Sequence, residues 1–394
     1  MTFRKLIGKL HLWLGLGSGV IVFIVSITGC LYVFETEIRS LYEYPFTEVQ
    51  PLKQPVLPVS ELLSIGKKAL EKQTGKAAKP EYHNVTLYKD PAKAAYYYAY
   101  HEKEKIYHYV YLNPYTGNVL KVKDLNNDFF TIIIQLHMNL LLPYEVGHQI
   151  VGAAVLIFVI SLISGLILWF PASKKGIKQR FSVKWNAQWR RKNYDLHNVF
   201  GFYSFLLALV IALTGLVWSY EWMAHSVDWL ANGGKFSGEA KEPISAISVQ
   251  KSAFPMDRFF EENAKKHPET QLFSVDFPTS DTATFAFGFY PSLTTYHDGT
   301  YLLYDQYSGK LLKEDSPRTQ TAGQRIRAMN YDIHIGKILG LPGQLLAFFA
   351  SLIAASLPIT GFLIWWGRRK KKKTASSKQK NRQPAAFLLQ KQDP

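Results

Sequence analysis

The chain has 394 residues, 47% of them hydrophobic, a formal net charge of +16 and a single cysteine, Cys30. A basic balance points to nucleic acid only when it is spread over a soluble surface. Here 21 of the 46 Lys and Arg residues fall in three short segments holding one acid, Asp393, so no nucleic-acid partner is needed. One cysteine also excludes an intrachain disulfide and the Cys-x-x-Cys-His attachment of c-type haem.

In chain order, Arg4, Lys5 and Lys9 precede residues 10–34, a run of 25 without Asp, Glu, Lys or Arg. About 20 apolar residues cross a hydrocarbon core of about 30 Å, so residues 1–34 are predicted to form a first transmembrane helix. The run is too long for the core of a secretion signal and is read as a retained anchor. Residues 35–128 follow as an extracytoplasmic α+β module. A capped amphipathic helix is expected from Ser60 to Leu70. Strands are expected over Ala95–Tyr100, Ile106–Leu112 and Val119–Val122, with a tight turn at Tyr115-Thr-Gly117. The frequent tyrosines are read as packing on a half-buried sheet, a ligand face being the alternative.

Residues 129–170 contain an uncharged lead-in, expected as an interfacial helix broken at Pro143, and then a second spanning helix in the 28-residue uncharged run 146–173. The segment 171–195 is a basic loop with eight Lys and Arg residues by position 192, and 196–220 is a third span. Residues 221–328 form a second module, with a helix expected over Asp257–Lys266 and strands over Leu272–Phe277, Thr284–Tyr290 and Tyr301–Tyr307. Residues 329–367 add an interfacial segment and a fourth span, and 368–394 form a basic tail with ten Lys and Arg residues. The positive-inside rule then places both termini and the 171–195 loop in the cytoplasm, and the flank Arg368–Lys373 is suited to anionic lipid.

The halves echo one another. His11-Leu-Trp-Leu-Gly15 matches His197-Asn-Val-Phe-Gly201, and Thr28-Gly29 matches Thr214-Gly215, both at an offset of 186 residues. Ser164-Gly165 matches Thr360-Gly361, Leu136-His137 matches Ile333-His334, and the turn Asn113-Pro-Tyr-Thr-Gly117 matches Asp305-Gln-Tyr-Ser-Gly309. Five stations in one order predict an internal duplication: a four-helix membrane protein with two extracytoplasmic α+β modules.

His83, His101, His108, His267 and His297 lie in polar segments and are assigned to the surface. Four histidines recur at equivalent places instead. His11 and His197 begin helices leaving the cytoplasm and pair at the inner face. His137 and His334 precede helices entering from outside. A continuous helix from His137 to Ser164 would run about 40 Å, which places that pair at the outer face. Two histidines facing across a bundle suit axial ligation of non-covalent b-type haem. Gly15 and Gly201, four residues after their histidines, would let a flat macrocycle approach; close helix packing is their other reading. Arg325 and Arg327 precede His334 and are candidate partners for haem propionates. His148, 11 residues after His137, would share its face about 16 Å deeper on a continuous helix, making it an alternative ligand. His225, at the place of Arg39, ranks below it.

The sequence Asp195-Leu-His197-Asn-Val-Phe-Gly201, with Leu136-His137, Ile333-His334-Ile-Gly336, the Thr-Gly pairs and the Tyr-Thr-Gly and Tyr-Ser-Gly turns, resembles the PepSY-associated transmembrane family over about residues 1–370. That family often has Arg where this chain has Asn198. The resemblance implies a bacterial inner-membrane protein of the iron-uptake or siderophore-reductase type, with His11, His137, His197 and His334 as haem ligands. On that reading two b haems carry electrons to ferric siderophores or other ferric chelates. Without a flavin or nicotinamide motif, the electrons come from a cytosolic reductase or quinol. The competing expectation is a non-enzymatic, membrane-anchored PepSY binding or regulatory protein. A transporter would need charged groups at mid-membrane, and the four runs have none.

Overall fold

The computed structural model describes residues 2–380 apart from 76, 78, 172–176, 239–241 and 248–254; the first part of the basic loop and the tail past Lys380 lie outside the described residues. The elements are α1 (Phe3–Tyr32), α2 (Glu35–Thr47), α3 (Val59–Thr74), β1 (Tyr82–Tyr88), β2 (Ala95–His101), β3 (Ile106–Leu112), β4 (Val119–Asp124), α4 (Phe129–Asn139), α5 (Tyr144–Trp169), α6 (Trp189–Ser219), α7 (Glu221–Ala231), α8 (Met256–Lys266), β5 (Leu272–Asp276), β6 (Thr284–Tyr290), β7 (Thr300–Asp305), β8 (Leu311–Asp315), α9 (Ala322–His334) and α10 (Gly340–Lys380). They form two compact units.

The first unit is helical. Four helical stretches are long and apolar enough to cross a membrane: Phe3–Tyr32, Tyr144–Trp169, Trp189–Ser219 and Lys337–Arg369. Small residues set their approach, as where a Cβ on Gly19 would come within 3.2 Å of Pro358. Aromatic stacking adds to the packing: the Trp169 and Phe202 rings lie 3.9 Å apart at 14°.

The second unit holds one antiparallel sheet of eight strands in the order β4-β3-β2-β1-β5-β6-β7-β8. The two predicted modules are therefore four-stranded meanders of a single sheet, joined where Val85 faces Val275. The weakly patterned strands β1 and β8 were not expected from the sequence, nor were helices α2 and α7. Both predicted turns close alike. Asn113 Oδ1 accepts from the Tyr115 and Thr116 amides, and Asp305 Oδ1 from those of Tyr307 and Ser308. Gly117 and Gly309 then take φ of +71° and +69°, a left-handed conformation that favours glycine.

One face of this sheet is covered by α3 and α8, with Leu62, Leu70, Tyr97, Val110, Val275 and Phe287 completely buried. Each such side chain contributes about 1.5–3 kcal/mol by leaving water. The predicted Ser60 cap is corrected. Pro58 is the N-cap without a side-chain bond, and the Ser60 amide donates to Asp257 Oδ1 at 2.9 Å, tying α3 to α8. Two histidines assigned to the surface are also buried, His83 to 4% exposure and His108 to 8%. Burial, with the nearby Lys67 charge, lowers the His83 pKa to about 4, so it packs as a neutral ring against Phe277.

Candidate functional site

The helical unit brings three of the four repeated histidines onto one kind of seat. His11 Nδ1 lies 3.1 Å from the Ser161 carbonyl oxygen and 3.0 Å from Ser164 Oγ. His197 Nδ1 lies 2.9 Å from Thr360 Oγ1. His137 Nδ1 lies 2.9 Å from the Val25 carbonyl oxygen and 3.1 Å from Thr28 Oγ1. Each imidazole also rests over the next glycine: its Cε1 would be 3.1 Å from a Cβ on Gly165, 3.3 Å from one on Gly361 and 3.3 Å from one on Gly29. Three of the four Ser-Gly and Thr-Gly pairs, Thr28-Gly29, Ser164-Gly165 and Thr360-Gly361, visible in the sequence only as repeat markers, are histidine seats. The hydroxyl receives the ring and the missing side chain lets it lie flat.

The seat also selects the tautomer. A carbonyl oxygen only accepts, so the Nδ1 of His11 and of His137 must carry the proton. The hydroxyls of Ser164 and Thr360 donate to carbonyls of their own helices, which leaves them as acceptors for the ring. Nε2 then keeps its lone pair, as a metal ligand requires, and the hydrogen bond at the other nitrogen fixes the ring's orientation. Asn193, absent from the predicted set, steadies the His197 seat by donating to the Thr360 carbonyl at 3.0 Å.

His11 and His197 meet. A metal–imidazole bond is about 2 Å, so two imidazoles on opposite sides of one metal hold their ring centres about 6 Å apart. The observed separation is 6.2 Å, with the ring planes at 74°. Among the described residues no group of three or more His, Cys, Asp or Glu side chains forms a metal site. Two imidazoles by themselves suit a metal that brings its remaining ligands with it, as haem does. A Cβ on Gly15 would meet nothing within 4 Å, so close helix packing is not what keeps this position small. A Cβ on Gly201 would touch Leu357 at 3.4 Å.

The remaining candidates fare differently. His334 is the last residue of α9 in the second unit. Arg325 is paired with Asp298 at 3.1 Å, so its guanidinium already has a carboxylate partner. Arg327 lines an open cavity of about 1490 Å³ with Asp228, Trp222 and Trp229. The phase argument for His148 is corrected. Helix α4 ends at Asn139, Leu140 and Leu141 take φ of +58° and +59°, and α5 begins only at Tyr144, so no continuous helix links His137 to His148 or to Ser164. The His148 ring instead stacks on Tyr144 at 4.7 Å. The corner is tight: a Cβ on Gly147 would lie 1.9 Å from the Asn139 carbonyl oxygen, and the turn from α9 into α10 is tight in the same way, with a Cβ on Gly343 2.1 Å from the Gly336 carbonyl oxygen. His225 makes an edge contact with Phe236 and lines the same cavity as Arg327.

A family model for a PepSY-associated TM region matches residues 9–368. No curated protein matches the chain.

Proposed function

The chain belongs to the PepSY-associated TM region family, and on that premise we propose that it is a dihaem b-type cytochrome of the bacterial inner membrane. It passes electrons from a cytosolic reductase or quinol to ferric siderophores or other ferric chelates at the periplasmic face. The observation that carries this reading is the His11–His197 pair, with ring centres 6.2 Å apart and both Nδ1 atoms held elsewhere. Haem, when bound, supplies the one-electron carrier. The residues of the chain do the rest. His11 and His197 present Nε2 from two different helices, Ser164 and Thr360 hold each imidazole in the ligating tautomer, and Gly165 and Gly361 let the rings lie down. His137 has the same seat on Thr28 and Gly29. The sequence repeat makes His334 its partner for a second haem.

The purified protein is expected to show a low-spin spectrum with a sharp α-band on dithionite reduction. Two haems per chain should be found by pyridine haemochrome, and acid acetone should extract both. A colourless protein from cells with ample haem would sink this reading and leave the non-enzymatic binding or regulatory protein in its place.

Orientation is a separate expectation, drawn from the three basic segments. Reporter fusions after Gly75 and Ser280 should report the periplasm, and one after Lys192 the cytoplasm. Two reversed signals would overturn the arrangement with both termini inside.

A further inference from the structure

The tyrosines divide between the two faces of the sheet, and only one face is explained by packing. Tyr97 lies in the core under α3 with no exposure. Its neighbours Tyr96 and Tyr98 alternate to the other face, where Tyr109 lies 4.9 and 5.3 Å from their ring centres. On that face Tyr96, Tyr107, Tyr109 and Tyr111 border a partly open cavity of about 220 Å³, lined also by Glu35, Arg39 and Glu43 of α2 and by Phe130 and Ile134 of α4.

We propose that this cavity binds a single hydroxylated aromatic ring, the dihydroxybenzene head that quinols and catecholate chelators share. Size sets the first limit: a cavity of about 150 Å³ takes one benzene, so this one admits a ring with its oxygens but not an entire hexadentate ferric chelate. The walls set the second. Phenol rings offer edges and faces for aromatic pairing, their hydroxyls both donate and accept, and the Arg39 guanidinium stands 5.1 Å from the Phe130 ring centre.

Charge sets the third limit. Arg39 is already answered by Glu35, Glu43 and Asp128, and Lys123 by Glu43 and Asp128. Among the described residues around the cavity no cation is left over for a phosphate or carboxylate, which disfavours an anionic occupant and suits a neutral one. Burial pushes the Tyr96 phenol up to about 12 and that of Tyr109 well above its usual value. In the absence of a metal these rings stay protonated. The choice of a dihydroxy ring rests on the electron-transfer reading above; the cavity does not.

The test titrates the full chain in nanodiscs, kept reduced so that no electron is exchanged, with catechol and with a short-chain benzoquinol. The expected result is one saturable site for which the two probes compete. The isosteric Tyr109→Phe should weaken both about fivefold, and Ile134→Trp, which fills the cavity from α4, at least tenfold, with haem content unchanged. A benzoquinol bound more than tenfold tighter than catechol identifies the membrane quinol as the source; equal binding identifies a chelate arm. No saturable binding by either probe, or binding that neither variant moves, overturns the proposal. A colourless protein that still binds the rings would instead remove the cytochrome reading and leave this site standing.

Discussion

His197→Ala is expected to abolish one of two low-spin haem signals and to leave the other. His11 and His197 face one another at the distance of two imidazoles on one metal, so removing either should strip that haem or convert it to a high-spin, five-coordinate form. About half of the reduced-minus-oxidised absorbance should be lost. His11→Ala should give the same spectrum, and the double variant nothing further, because the two act as one unit. A milder companion is Thr360→Val, which keeps the volume and removes the oxygen 2.9 Å from His197 Nδ1. Loss of such a partner typically costs about 10–100-fold in metal-site affinity, so haem should wash out of this variant and remain in the wild type. His334→Ala should remove the other component and ferric-chelate reduction with it. If the four single variants at His11, His137, His197 and His334 all retain full haem content, the ligation scheme is wrong.

The second large effect is expected from Arg39→Met. The Arg39 guanidinium donates to Glu43 at 2.9 Å and to Asp128 at 3.0 Å, and both carboxylates are nearly buried, at 5% and 6% side-chain exposure. Removing one partner of a buried pair costs about 3–5 kcal/mol, because the charge left behind has neither water nor counter-ion. Lys123 still reaches both carboxylates, which favours about 3 kcal/mol. The melting transition of the sheet unit should fall accordingly, and protease should enter the segment between α2 and α4. The exposed pair Arg258–Glu262 is the control, and Arg258→Ala should leave the transition in place.

The same network has a pH signature. Burial opposes the Asp128 charge, but the Arg39 hydrogen bond and the Arg39 and Lys123 charges outweigh it and hold the carboxyl below its ordinary value. A carboxyl with a depressed folded pKa contributes its stability above the unfolded value, about 3.9. That contribution is lost as pH falls through the lower folded value. Wild type should therefore lose stability below about pH 4 more steeply than Arg39→Met. Parallel acid curves would show that Arg39 does not govern Asp128.

Much of this molecule is written in one dimension. Four uncharged runs determine four membrane helices, because length and the absence of charge are all that a hydrocarbon core demands. Alternation determines β3 over Ile106–Leu112 and β6 over Thr284–Tyr290, and the turns at Gly117 and Gly309 carry their own Asx chemistry. The recurrence of histidine and of Ser-Gly or Thr-Gly was also plain. What each histidine touches was not, because the partners stand 150 and 163 residues away for His11–Ser161 and His197–Thr360; only helix packing makes those contacts. The corner at Leu140 and Leu141 escaped because nothing in a leucine pair announces a left-handed backbone, whereas the glycine it requires, Gly147, lies a turn downstream.

That the two modules share one sheet was hidden for a related reason. Strand β1 pairs with β5 across almost 190 residues of sequence, and edge pairing leaves no local pattern. Composition and periodicity settled membrane class and the type of most elements, which depend on a residue and its near neighbours. Tertiary structure alone decided which imidazole nitrogen is held by the neighbouring helix, which tyrosines pack and which line a cavity, since those depend on groups the chain brings together only on folding.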